Sequence, residues 1–138
     1  MPDDLPYVDE HAVRIAAPRD VVWPVLERHG KSLGLPRGNL LAKVLGTRPE
    51  AGFEITASVP GESLDLTGSH RFSNYCLRFE LADAPGGSTQ LRAQTYAAFP
   101  GLTGEIYRTL VIRSRLHVIA TMYVLRSVER NCRPLPLR

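Results

Sequence analysis

Residues 89–130 read TQLRAQTYAAFPGLTGEIYRTLVIRSRLHVIATMYVLRSVER, and the change of period inside this stretch decides the fold. From Thr89 to Phe99 the residues alternate, with Leu91, Ala93, Thr95 and Phe99 on one side and Arg92 on the other, the pattern of a half-buried strand. Pro100 and Gly101 stop it. From Leu102 to Arg130 there is no proline, and apolar residues recur at helical spacing, which predicts a long helix. Tyr107, Leu110, Val111, Ser114, Val118, Met122, Leu125 and Val128 form one stripe. Ile112, Leu116, Ile119 and Tyr123 form a second on nearly the opposite side. One sheet cannot cover both, so the helix is expected to be gripped by a sheet on one side and covered on the other by an N-terminal helical segment or a second subunit, the alternative being that part of the second stripe is simply exposed.

Working upstream, further strands are predicted at Leu40–Leu45, Phe53–Val59, Ser63–Phe72 and Tyr75–Leu81. The intervening segments carry Pro49 and Gly52, Pro60 and Gly61, then Pro85, Gly86 and Gly87, and are short enough for hairpins. Strands joined in this way form an antiparallel meander. Phe53, Ile55, Ala57 and Val59 share a face, as do Leu64, Leu66, Gly68 and Phe72, and Tyr75, Leu77, Phe79 and Leu81. Glu54, Asp65, Arg71, Arg78 and Glu80 lie opposite, giving one buried face and one wet face. Nearer the start, Glu10–Ala16 alternates as a strand with His11 in the phase of Val13. Asp20–Glu27 reads as a short helix beginning near Pro18 and stopping at Gly30. Pro24 lacks an amide proton, so a kink or two successive turns are expected there. Lys31–Asn39 reads as irregular or as another brief helical turn. The expected class is α+β: an antiparallel sheet curved around a long C-terminal helix, with short helices after the first strand.

Composition agrees with one ordinary domain spanning residues 1–138, its tail irregular from about residue 131. Of the 138 residues, 43% are hydrophobic and 22% charged, a balance that supports a packed core, and a domain of this size buries roughly 70% of its unfolded surface. Seventeen basic and fourteen acidic side chains leave a net charge of +3. No compact Lys/Arg run accompanies that excess, so nucleic acid is not an expected partner. Cys76 and Cys132 have neither the spacing of a zinc knuckle nor the density of a disulfide scaffold. Met1–Glu10 carries acids where a signal peptide carries bases, and no apolar run approaches the ~20 residues of a membrane span. A cytoplasmic protein is the expectation.

The order strand, short helix, meander, long terminal helix resembles the SRPBCC superfamily, which includes START, Bet v 1-like and polyketide-cyclase-like domains. Ile15, Pro18, Asp20, Val22 and Trp23 look like its usual opening. Phe99, Pro100, Gly101, Leu102, Gly104 and Tyr107, followed by His117, are similar to the C-terminal block of bacterial members. The resemblance implies a helix-grip fold of six strands, as counted above, or the seven that many members have. It also implies a pocket between sheet and helix for a lipid, a polyketide or a similar molecule.

Candidate binding residues follow from phase. His70 continues the line of Leu64, Leu66 and Gly68 into the space under the helix, where an imidazole can donate to a ligand carbonyl or act as acid or base; a buried neighbour would satisfy it as well. Gly68 removes a side chain from the same line, as a bend or as room for a ligand. Tyr75 and Thr95 place hydroxyls on an otherwise apolar wall, the sparse polar lining of an orienting pocket, though such hydroxyls also bond backbone. Tyr107 and His117 on the terminal helix can line a cavity mouth, and Trp23 is a packing anchor or part of the same wall. The four histidines stand in unrelated elements without a nucleophile motif, so no catalytic set is assigned, and neither a metal nor a cofactor is implied. The expected function is binding of a small hydrophobic or aromatic ligand. The alternatives are a cyclase, aromatase or hydratase, in which His70 with Tyr75 or Thr95 steers protons, and an interaction module or homodimer built on the second helical stripe.

Overall fold

The computed structural model describes residues 5–32, 53–70, 73–99 and 116–132. Its elements are β1 (Tyr7–Ile15), α1 (Arg19–Ser32), β2 (Glu54–Val59), β3 (Ser63–His70), β4 (Ser73–Ala84), β5 (Ser88–Ala98) and α2 (Leu116–Cys132). The strands form one sheet in the order β1-β5-β4-β3-β2, antiparallel at every step. Local hairpins generate the run from β2 to β5, and β1 adds at the far edge. Val59-Pro60-Gly61-Glu62 closes the first hairpin: the Glu62 amide donates to the Val59 carbonyl at 2.9 Å and Gly61 takes φ 77°. Proline second and a positive-φ glycine third is the chemistry of a type II turn.

Five strands, not six or seven, make this sheet among the described residues. The count of six included Leu40–Leu45, which lies outside the described residues. Two strands run longer than their alternation suggested: β4 begins at Ser73 and continues through the exposed Ala82 and Asp83 to Ala84, and β1 begins at Tyr7.

Where the sequence predicts a kink or two successive turns at Pro24, one 14-residue helix runs through it. Pro24 is its sixth residue, so the missing amide removes a single bond to the preceding turn. The Pro18 carbonyl opens the helix by accepting from Val21 and Val22 at 3.0 and 3.1 Å. Gly30 does not stop it. That residue is buried inside α1, and a Cβ there would stand 2.9 Å from Leu64 Cδ2. Its role is close approach of α1 to β3.

Both helices lie on one face of the sheet, α2 against β1, β5 and α1, and α1 across β2 to β5. Val22 and Leu26 of α1 and Leu125 and Val128 of α2 meet Ile15, Leu64, Leu66, Phe79 and Leu91 of the sheet in a core where each of these side chains is almost wholly buried. Complete burial of one such side chain is worth about 1.5–3 kcal/mol. The expected principal stripe of the terminal helix is therefore the packed one from Val118 onward. Of the second stripe, Ile119 and Tyr123 are 64% and 67% exposed, so α1 does not cover them. The Arg130 guanidinium lies 6.0 Å from the centre of the Tyr123 ring. Ile112 lies outside the described residues.

The outer face is not uniformly wet. Asp65 is 5% exposed there, and Arg78 on the next strand donates to both carboxylate oxygens at 2.8 and 3.0 Å. Cys76 on the same side is buried as well.

Candidate functional site

The register of the sheet sets the inner face in rows. One row joins Asp9 of β1, Thr95 of β5, Leu77 of β4 and Leu66 of β3; the next joins His11, Ala93, Phe79 and Leu64. Between Tyr7 and Asp9 the pairing with β5 slips by one residue. This irregularity puts Tyr7 opposite Tyr96 on the outer side, where the rings meet edge to face at 5.8 Å, while Asp9 keeps the inward phase of His11 and Val13.

Two rows therefore carry polar groups in a wall that is otherwise apolar. His11 Nε2 lies 3.2 Å from Asp9 Oδ2, and both side chains are 25% exposed. Thr95, paired directly with Asp9, has its Oγ1 fully shielded from solvent with no hydrogen-bond partner. A buried hydroxyl in that state costs the folded protein about 1–3 kcal/mol. Such an uncompensated group is uncommon in native interiors and marks a position where a further partner would be favourable.

Tyr75 also has the inward phase expected of it. Its ring meets Phe53 edge to face at 5.1 Å with 64° between the planes. Gly68 pairs with Tyr75, and Glu54, the residue after Phe53, pairs with Thr67. Phe53 and Tyr75 thus flank Gly68, and the missing side chain lets the two rings meet across β3. The aromatic pair is worth about 0.5–1.5 kcal/mol beyond its burial.

The remaining candidates divide. Trp23 is half-buried on α1 and packs against the apolar core. Among the described residues, no hydrogen bond or ring contact joins it to Thr95 or His11. His70 ends β3 opposite Ser73, and His117 is the second residue of α2; both side chains lie outside the described residues, as does Tyr107 altogether. The residue that phase alone did not single out is Asp9, because the alternating pattern was read from Glu10. The available signal was the i, i+2 spacing of Asp9 and His11, which holds both on one face of any strand long enough to contain them.

A shallow recess of about 460 Å³ opens near the β2–β3 hairpin, lined by Arg19, Glu62, Ser63, Arg78, Glu80 and Leu81. Its two guanidinium groups are already engaged, Arg19 with Asp83 at 2.9 Å and Arg78 with Asp65 at 2.8 Å. It is a less suitable binding position than the inner face.

Comparison with solved structures aligns nearly the whole chain. The Zhui aromatase/cyclase from Streptomyces sp. R1128 is 17% identical, with 94% of this chain and 96% of that chain covered at a TM-score of 0.53. A START superfamily protein from Mycobacterium smegmatis is 11% identical, with 90% and 98% covered at 0.51. The chain has the helix-grip fold of these structures. The di-domain aromatase/cyclase StfQ of the steffimycin biosynthetic pathway shares this helix-grip fold over 95% of the present chain and 52% of its own, at 14% identity and a TM-score of 0.60. No protein-family model and no curated protein matches the sequence. At these identities the likeness speaks for the helix-grip architecture, and the chemistry must be argued from the residues.

Proposed function

We propose that this chain is a binding domain for a small, largely apolar or aromatic ligand, held between the inner face of the sheet and α2. The observation that carries the reading is the inner wall itself: apolar rows from β3, β4 and β5, with a few hydrogen-bonding groups gathered on Asp9, His11 and Thr95. Burial against such a wall supplies about 25 cal/mol per Å² of apolar ligand surface, and sparse polar groups orient what burial retains. Tyr75 and Phe53 offer aromatic surface to the same space, and Trp23, His70, Tyr107 and His117 remain proposed contributors.

Native mass spectra of the purified protein before and after denaturation test this reading. A small molecule retained in the native spectrum and lost on denaturation is the expected result. A clean apo mass, together with no saturable binding of apolar aromatic probes, overturns it.

The likeness to aromatase/cyclases favours a second reading, proton-transfer catalysis on a bound polyketide-like substrate. Here a histidine, His70 at the end of β3 or the Asp9-held His11, serves as acid or base. Replacing each separately with Ala would abolish turnover and spare binding in the one that matters. Unchanged turnover in both would reject the reading.

A further inference from the structure

Apolar burial leaves open which polar group the ligand carries and where it docks. We infer that Asp9, His11 and Thr95 receive a neutral hydroxyl of the ligand, phenolic or alcoholic, at the β1–β5 side of the inner face. The inference rests on the ligand-binding reading and specifies the ligand's polar end.

Position comes first. Asp9 and Thr95 are direct cross-strand partners, His11 is one inward step along β1, and α2 packs over the same two strands. A molecule lying between α2 and the sheet meets these three groups together, with Leu77 next to Thr95 in the row.

Hydrogen-bonding capacity comes second. His11 Nε2 lies 3.2 Å from the Asp9 carboxylate. In a neutral imidazole, a nitrogen that donates to a carboxylate leaves the opposite nitrogen to accept. Thr95 Oγ1 donates and accepts, and it is buried with no partner in the protein. One acceptor beside one donor-acceptor is the complement of a single O–H group. Placing that group there also removes the penalty that the unsatisfied threonine hydroxyl imposes on the free protein.

Charge comes third. The inner face of the described strands, from Val13, His11 and Asp9 across Thr95, Ala93 and Leu91 to Tyr75, Leu77, Leu64 and Leu66, carries neither Lys nor Arg. The inward residues Val118, Thr121, Met122, Leu125 and Val128 of α2 carry none either. Among the described inward residues a ligand carboxylate beside Asp9 would find no Lys or Arg to pair with, an arrangement that costs far more than a neutral hydroxyl.

Three probes of one shape separate the possibilities: naphthalene, 2-naphthol and 2-naphthoate, titrated near neutral pH against the full chain by equilibrium dialysis. Binding of 2-naphthol is expected to be about tenfold tighter than that of either other probe, the effect of one or two well-placed hydrogen bonds. Thr95→Val, which keeps the side-chain shape, and His11→Phe are each expected to lower 2-naphthol affinity by about three- to tenfold and to leave naphthalene unchanged. Circular dichroism confirms that each variant is folded, and the near-isosteric Thr95→Val decides the matter if His11→Phe is not. Equal binding of all three probes, tightest binding of 2-naphthoate, or an unchanged preference in folded Thr95→Val overturns the hydroxyl site while leaving ligand binding intact. No saturable binding of any probe overturns both.

Discussion

Thr95 is costly in the free protein, and that cost makes its role measurable. Its hydroxyl is buried without a partner, so exchanging it for a methyl group of similar shape removes a desolvation penalty at little expense in packing. Thr95→Val is expected to stabilise the ligand-free protein by about 1 kcal/mol, or about 3 °C in melting temperature for a chain of this size. Differential scanning calorimetry checks this, and a variant that melts lower would mean that the hydroxyl is satisfied in solution. Cys132 makes a different residue-scale case. It is buried at the end of α2, and burial pushes its thiol pKa up, against the opposing pull of Arg28. The folded protein therefore holds this proton more tightly than the unfolded chain. As pH rises through the ordinary thiol range, the unfolded chain ionises first and stability falls. Between about pH 8 and about pH 10 the denaturation midpoint should drop less in Cys132→Ala than in the parent, whatever the offset from the lost packing. Identical slopes would show that Cys132 titrates alike in both states.

Among elements, the contact of α1 with β3 is the most closely specified. Alanine is the better helix former by about 1 kcal/mol, yet a Cβ at Gly30 meets Leu64 Cδ2 at 2.9 Å, and Leu64 is fully buried. Overpacking of this kind costs about 1–3 kcal/mol, so Gly30→Ala should be destabilising by about 1 kcal/mol net. Urea denaturation measures it. In a Leu64→Val background, where room exists, the same substitution should cost less or become stabilising, and equal costs in the two backgrounds would reject steric contact as the cause. The elements also show what could be read beforehand. Alternation alone placed Tyr75, Leu77, Leu91, Ala93 and Thr95 on the inner face, and helical spacing separated the buried Leu125 and Val128 from the exposed Ile119 and Tyr123. Gly30 was misread as a stop because a glycine needed for close approach and one needed for a helix end look the same in one dimension. Pro24 was overweighted because its cost is confined to one hydrogen bond this early in a helix. Asp9 was passed over because polar residues at the start of a strand do not announce their phase. The unsatisfied state of Thr95 depends on a pairing with β1 that only the tertiary fold supplies.

At the scale of the molecule, the polar site lies on the closing seam of the sheet. Hairpins assemble β2 to β5 locally, whereas β1 reaches β5 only across most of the chain, and α2 then packs over both. Asp9 and His11 stand on one side of that seam and Thr95 on the other, so a ligand hydroxyl held by all three bridges the pairing of longest sequence separation in the sheet and stabilises the whole. A ligand that binds only the folded state, at one hundred times its dissociation constant, adds about 2.7 kcal/mol, or about 9 °C here. The Thr95 hydroxyl sets up an opposition within this linkage. Without a ligand the valine variant should melt higher, since it has no orphaned hydroxyl. With 2-naphthol it should gain less, because a fivefold weaker dissociation constant forfeits about 1 kcal/mol at saturation. The two melting curves, plotted against 2-naphthol concentration, should therefore start apart and converge, whereas with naphthalene they should stay parallel. Parallel lines for both probes would mean that Thr95 contributes nothing to the bound state. Its buried hydroxyl would then be a plain cost of the fold, and the polar end of any ligand would have to be sought elsewhere on the inner face.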